Sequence, residues 1–234
     1  MTVKTLITEQ NAKTTKGEKF GYLTGILYMA PHSIVKGINM CPWATESCKK
    51  ACLYSAGRGK FSNVQAARVR KTELFRDDKD AFFNVLIKDI TRLEKKAEKK
   101  GLKLAIRLNG TSDIPWENYK IEGFTIFDIF PKVQFYDYTK AIHRANKALP
   151  KNYHLTLSYT GENDKNIFDI AKRESKNIAI VFSGKELPKK YKGLKVLNGD
   201  DHDLRFIDST NSIIGLLAKG DAKKMQNSKF VVNV

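Results

Sequence analysis

The amino-acid sequence predicts an α/β protein: a partial (βα)6-type barrel or curved parallel sheet, with helices outside and a cysteine loop after the first strand. Three observations predict it. Short apolar runs alternate with helical segments along most of the chain. Each run ends in small or polar residues, and every cysteine lies in one twelve-residue window after the first run. Strands alternating with helices pair in parallel and are buried on both faces, which explains runs that are apolar throughout.

Residues 1–19 are polar and are expected to form a flexible arm, followed by a single α/β domain over residues 20–234. The first strand region is "FGYLTGILYMAP" (Phe20–Pro31), rich in β-branched and aromatic residues. The pattern is helical from about Ser62 to Gly101. Phe82, Leu86, Ile90, Leu93 and Ala97 recur at steps of four, four, three and four, which stacks them on one helix face. Asp80 near the start, lysines near the end and Gly101 beyond suit the helix dipole and a C-terminal cap. Strand runs follow at Leu102–Gly110, Lys132–Lys140, Tyr153–Gly161, Asn177–Lys185, Lys195–Asp203 and Ile213–Asp221, six or seven strands counting the first. Helical segments are expected at Lys140–Leu149 and Asn163–Ser175. No fixed-period repeat and no Pro/Gly/Ser linker divides the chain.

At 234 residues one hydrophobic core is ample without a covalent staple. No stretch approaches the roughly 18 apolar residues of a membrane span, and the N-terminus lacks the apolar core of a secretory signal. The expected location is the cytoplasm, with no membrane partner. There, three reduced cysteines suit ligation or catalysis better than disulfide pairing. The 42 basic against 25 acidic residues, a formal charge of +17, point to nucleic acid or a nucleotide as partner.

Cys41, Cys48 and Cys52 are the candidate metal ligands. Three thiolates on a [4Fe–4S] cluster leave one iron open to a substrate or cofactor. Zinc is the alternative, with His32 as the nearest candidate fourth ligand, although two close CxxC pairs are missing. A catalytic cysteine would need one thiol and a base, not three gathered thiols. Pro42 and Trp43 would shield such a cluster, Lys49 and Lys50 would offset its charge, and Arg58 and Lys60 would contact an anion.

The strand ends supply the other candidates, because ligands gather at the carboxyl ends of parallel strands. Asn109, Ser112, Asp113, Ser158, Asn198, Asp200, Asp201 and Lys219 are candidate cofactor-binding residues. Tyr136, Tyr138 and Lys140 are candidate catalytic residues. In the strand "FYDYTK", Tyr136 and Tyr138 share one face, while Phe135 and Asp137 share the other. "NGDDHD" (Asn198–Asp203) also offers Asp200, Asp201 and Asp203 to a divalent metal, the basis of a metal-dependent nuclease reading. His143 and His154 receive no role. No phosphate-binding loop, dinucleotide fingerprint or Ser/His/Asp order is present.

The segments "CPWATESCKKACLYSAGRG", "RLNGTSDIPWE", "FYDYTK", "YHLTLS" and "LNGDDHDLRF" resemble bacteriophage proteins of the gene-product-88 type, over most of the chain from about Phe20. That group implies a phage origin, hence host cytoplasm, but brings no established activity. More loosely, the arrangement is similar to the radical S-adenosylmethionine superfamily. That likeness implies Cys41, Cys48 and Cys52 as cluster ligands, S-adenosylmethionine as cofactor and an electron donor as partner. Two departures stand against it. The cysteine gaps are six and three residues rather than three and two, and "LNGTSD" stands where a Gly-Gly-Glu-like segment is usual.

The resulting expectation is a phage-encoded iron–sulfur protein, radical S-adenosylmethionine-like, acting at the carboxyl rim on a nucleotide or nucleic-acid substrate. The alternatives are a basic nucleic-acid- or host-protein-binding module with structural zinc or cysteines, and the nuclease. The oligomeric state does not follow from the sequence.

Overall fold

The computed structural model describes residues 3–9, 14–162, 164–225 and 228–234. Residues 1, 2 and 10–13 of the expected arm, and Asn163 at the start of an expected helix, lie outside them. The chain forms two compact units. One comprises residues 1–42, 61–137 and 149–154; the other comprises 43–60, 138–148 and 155–234. Among the described residues there are ten strands, most of them paired in parallel, with helices around them.

In the first unit the strands are β1 (Ile7–Thr8), β2 (Tyr22–Leu27), β3 (Lys103–Arg107) and the first part of β4 (Gln134–Thr139), in that order. β1 is antiparallel to β2, with Ile7 opposite Leu27. β2, β3 and β4 are parallel, with Thr24 opposite Ala105 and Ala105 opposite Gln134. This unit also holds α1 (Thr14–Gly17), α3 (Ser62–Asp77), α4 (Lys79–Lys99) and α5 (Ile126–Ile129). The single helical region expected over 62–101 breaks at Asp78. Its carboxylate accepts from the Ala81 amide at 2.9 Å, ending one helix and capping the next.

The face of α4 read from periodicity is the buried one: Phe82, Leu86, Ile90, Leu93 and Ala97 are all inside. α4 packs close to β2 because Gly25 has no side chain. A Cβ there would lie 2.6 Å from Ile7 Cγ2 and 3.1 Å from Leu93 Cδ1. Phe75, Phe82, Phe83, Trp116 and Tyr119 form an aromatic cluster beside it, mostly edge-to-face.

The expected arm contains β1, whose backbone is held by a buried carboxylate. Asp89 on α4 accepts from the Leu6 and Ile7 amides at 2.6 and 2.9 Å and from the Thr5 hydroxyl at 2.8 Å. A two-residue strand has too little periodicity to be recognised from sequence.

The second unit holds α2 (Glu46–Lys50), the end of β4, most of β5 (Tyr153–Ser158), α6 (Asp164–Arg173), β6 (Ile178–Phe182), β7 (Lys190–Tyr191), β8 (Leu194–Asn198), β9 (Ile213–Leu217) and β10 (Val231–Val232). The order is β5-β6-β9-β8-β7, with β10 also on β6. β7 and β8 pair antiparallel, whereas β6 pairs in parallel with β5, β9 and β10, and β8 with β9. β5 pairs with β6 at Ile178 and Ala179, and β10 then pairs with Val181 and Phe182. β10 thus continues beside β6 where β5 leaves off. Neither unit's sheet closes on itself among the described residues, so the barrel is not formed within either unit. α6 covers a core of Leu157, Ile167, Ala171, Ile178, Ile180, Phe182 and Ile213.

The helix expected at Lys140–Leu149 is instead a short 3-10 segment, Ile142–Asn146. Arg144 inside it is fully buried and donates to the Thr139 hydroxyl at 3.1 Å, which ties the segment to the end of β4. Pro150 follows the segment after three intervening residues and disfavours helical backbone at Leu149.

Two measurements would check this packing. Gly161 has φ +78°, and a Cβ there would overlap the carbonyl of Lys229 just before β10. Gly161→Ala should therefore lower stability by about 1–3 kcal/mol, read from denaturant midpoints. Lys71 donates to the Leu6 carbonyl at 2.5 Å, and burial brings its ammonium down from 10.5 to about 8. Below that value both folded and unfolded chains are protonated, and the folded state carries the whole penalty. Between about 8 and 10.5 only the unfolded chain keeps the proton, so stability should rise with pH by up to about 3 kcal/mol. The rise should be absent in Lys71→Met.

Candidate functional site at the carboxyl ends of the strands

In the first unit, the chain leaving β3 is organised by one asparagine. Asn109 is buried, and its side-chain oxygen accepts from the Ser112 hydroxyl, the Ile114 amide and the Trp116 indole at 2.8, 2.9 and 3.1 Å. Its amide nitrogen donates to the Ile114 carbonyl at 3.0 Å and to Asp137 at 3.2 Å. Asp137, fully buried on β4, also accepts from the Asn109 backbone amide at 2.6 Å and the Tyr153 hydroxyl at 2.9 Å. Bonds to a charged oxygen are the stronger kind, and so many of them make a buried carboxylate tolerable. Asn109 and Ser112, expected to grip a cofactor, thus spend these bonds on the loop itself.

That loop meets Cys41, which lies in the segment after β2. Thr111 donates its hydroxyl to the Met29 carbonyl at 2.5 Å, and its own carbonyl faces the Cys41 thiol at 3.7 Å. The amide of Asp113, which is buried, donates to the Met40 carbonyl at 2.8 Å. Gly110 permits the close approach: a Cβ would lie 2.7 Å from both the Leu27 carbonyl and the Tyr28 ring. α3 flanks the same end of β2. Arg68, largely buried, sits 5.0 Å over the Tyr28 ring, and the Thr72 hydroxyl accepts from the Ala30 amide at 2.9 Å. Tyr136, on β4, is fully buried.

In the second unit, Thr45 caps α2 by accepting from the Cys48 amide at 3.2 Å. Cys48 packs against a small cluster of Ala51, Ala222, Phe230 and Val231, with Val181 and Ala218 beside it. Val181 lies near the end of β6, and Ala218 directly follows β9. The loop beyond Cys52 is tied to the same place, since the Ser55 hydroxyl donates to Asp221 at 2.9 Å. Trp43 meets His143 edge-on, with ring centroids 5.5 Å apart.

The expected residues after β8 and β9 do come together. Lys219 pairs with Asp200 at 2.6 Å, the Asn198 amide donates to Asp201 at 2.7 Å, and the Asn198 oxygen accepts from the Asp200 backbone at 3.0 Å. Asp203 is buried. Behind them Arg205, fully buried, reaches Asp208 at 3.2 Å and the His202 ring at 3.0 Å. Because the guanidinium only donates, His202 Nδ1 accepts, leaving the proton on Nε2, 3.5 Å from Asp208. Burial, then the adjacent Arg205, holds the imidazole below its ordinary value, while burial raises the Asp208 carboxyl. Arg205 and Asp208 were not singled out in the sequence, where they look like ordinary loop charges. Tyr138, Lys140 and Ser158 are half-buried at the ends of β4 and β5.

All three cysteines are reduced and half-buried. The boundary between the units falls after Pro42, so Cys41 belongs to the first and Cys48 and Cys52 to the second. Among the described residues no group of three His, Cys, Asp or Glu side chains is gathered so as to hold a metal ion. This applies equally to the three cysteines, to His32 with them, and to Asp200, Asp201 and Asp203. The donor chemistry of the three thiols suits a cluster. No helix among the described residues is long and apolar enough to cross a membrane.

Fold and site together define an α/β protein with mainly parallel strands, whose thiols and polar loops follow the carboxyl ends of the strands in each unit. The chain belongs to the Gene product 88 family, whose family model matches residues 5–234. No curated protein and no solved structure matches it.

The network around Asn109 is testable. Asn109→Ala removes five side-chain hydrogen bonds and leaves the buried Trp116 indole and Ile114 amide without their acceptor. The expected loss is about 2–4 kcal/mol of stability, seen as a lowered denaturant midpoint. Ser112→Ala, which removes one half-exposed donor, should cost less than about 1 kcal/mol.

Proposed function

We propose that this family member is an iron–sulfur protein in which Cys41, Cys48 and Cys52 are the ligands of a [4Fe–4S] cluster, acting on a nucleotide or nucleic-acid substrate. One observation carries the reading. Cys41 meets the loop after β3, and Cys48 packs beside the ends of β6 and β9, so thiols lie at the strand ends where α/β proteins hold ligands. When bound, the cluster would supply redox chemistry and an open iron site, with S-adenosylmethionine as its candidate cofactor. The chain's own contribution is to hold the thiols reduced and half-exposed, and to offer Lys140, Lys219 and the flanking arginines to an anionic substrate. A phage-encoded protein of this kind would work in the host cytoplasm, drawing electrons from a donor.

A second reading has its own support. The formal charge of +17 suits a basic nucleic-acid- or host-protein-binding module with structural zinc or cysteines, which needs no iron–sulfur cluster. Anaerobic reconstitution with iron and sulfide separates the two. The iron–sulfur reading expects a brown protein with roughly four irons per chain, a reduced-state electron paramagnetic resonance signal, and loss of both in Cys48→Ala. Bound zinc, or a colourless protein free of metal, overturns it in favour of the binding module.

A further inference from the structure

We propose that the outer face of α4 is a docking surface for the phosphate backbone of duplex nucleic acid, separate from the strand-end site. Lys88, Arg92, Lys95, Lys96 and Lys99 line a shallow groove of about 610 Å³ along this helix. At about 100° per residue, Lys88, Arg92, Lys95 and Lys99 fall within a strip about 60° wide and about 16 Å long. Glu94 and Glu98, on the same helix, lie at least about 60° outside the strip. Arg92 and Lys96 each pair with Glu9 at 2.6 Å. Lys88, Lys95 and Lys99 are exposed and make no ion pair among the described residues.

Like charges three and four residues apart on a helix repel. Glu9 and Asp89 offset Arg92, but no acidic side chain among the described residues pairs with Lys88, Lys95 or Lys99. A polyanion would. A duplex presents one phosphate charge per about 1.7 Å of its axis, so a row about 16 Å long can face several at once. The remaining walls, Ile87 and Thr91, carry no ring on which an unpaired base could stack, which favours a duplex over a single strand. Ammonium groups in a row on a helix face suit phosphate contacts, which position a duplex without carrying sequence information. The strip follows α4 toward its C-terminus and the start of β3, away from the strand ends that carry Cys41.

The test is fluorescence anisotropy with a fluorescein-labelled DNA duplex, titrated at several salt concentrations. Wild-type protein should bind with affinity falling linearly in log–log form as salt rises. The combined Lys88→Gln, Lys95→Gln and Lys99→Gln variant should show a slope shallower by about 2.7, at about 0.9 for each phosphate that is no longer neutralised. Arginine at the same three positions should keep the wild-type slope. Lys189→Gln, Lys190→Gln and Lys195→Gln in the second unit remove equal charge and should leave the slope nearly unchanged. An unaltered slope in the α4 variant, an equal flattening in the second-unit variant, or no duplex binding by wild type overturns the proposal. Because the readout is binding and requires no metal, it stands or falls separately from the iron–sulfur reading.

Discussion

The carboxyl end of the first unit depends on one buried charge. Asp137 can lie wholly inside the protein only because the Asn109 backbone, the Asn109 side chain and the Tyr153 hydroxyl all donate to it. A carboxylate without those partners would cost several kcal/mol to bury. With them it joins the end of β3 to β4 and to Tyr153, and orients Asn109 so that its oxygen collects three further donors. The loop from Gly110 to Trp116, and through it the position of Cys41, follows from that arrangement.

The second unit solves the same problem differently. Its strand-end loops are held by Arg205, a fully buried guanidinium bridging His202 and Asp208, and by the exposed Lys219–Asp200 pair. The two are unequal. An exposed ion pair is worth little, typically below about 1 kcal/mol, whereas a buried guanidinium must keep its partners to remain inside. His202 is consequently neutral, with both ring nitrogens committed, and serves as a brace rather than a free base. The "NGDDHD" segment, which looks like a metal site when written out, folds into separate pairings because adjacent residues on a loop point in different directions.

Charge in this protein divides into two kinds. Some is internal and structural, as in Asp89 capping the amides of β1 or Lys71 on the Leu6 carbonyl. The rest is external and, on α4, aligned. The amphipathic helix that buries Leu86, Ile90 and Leu93 necessarily turns its lysines outward. What amphipathicity does not require is that Glu94 and Glu98 of the same helix fall outside that strip.

Much of the architecture was determined by the sequence alone. The α/β class, seven of the strands, α6 and the buried face of α4 follow from apolar periodicity, because burial of a strand or helix face constrains residue type at fixed spacing. The Asp78 break, the two-residue strands β1, β7 and β10, and the 3-10 segment after β4 came only with the tertiary structure, since too few residues are involved to make a period. The same holds for the site. Cys41, Cys48, Cys52 and the polar strand ends were visible as residue types, but which of them face one another was not. Asn109 became a loop organiser because Asp137, on a neighbouring strand, takes its amide while Ser112, Ile114 and Trp116 gather on its oxygen, and only the folded chain fixes that geometry.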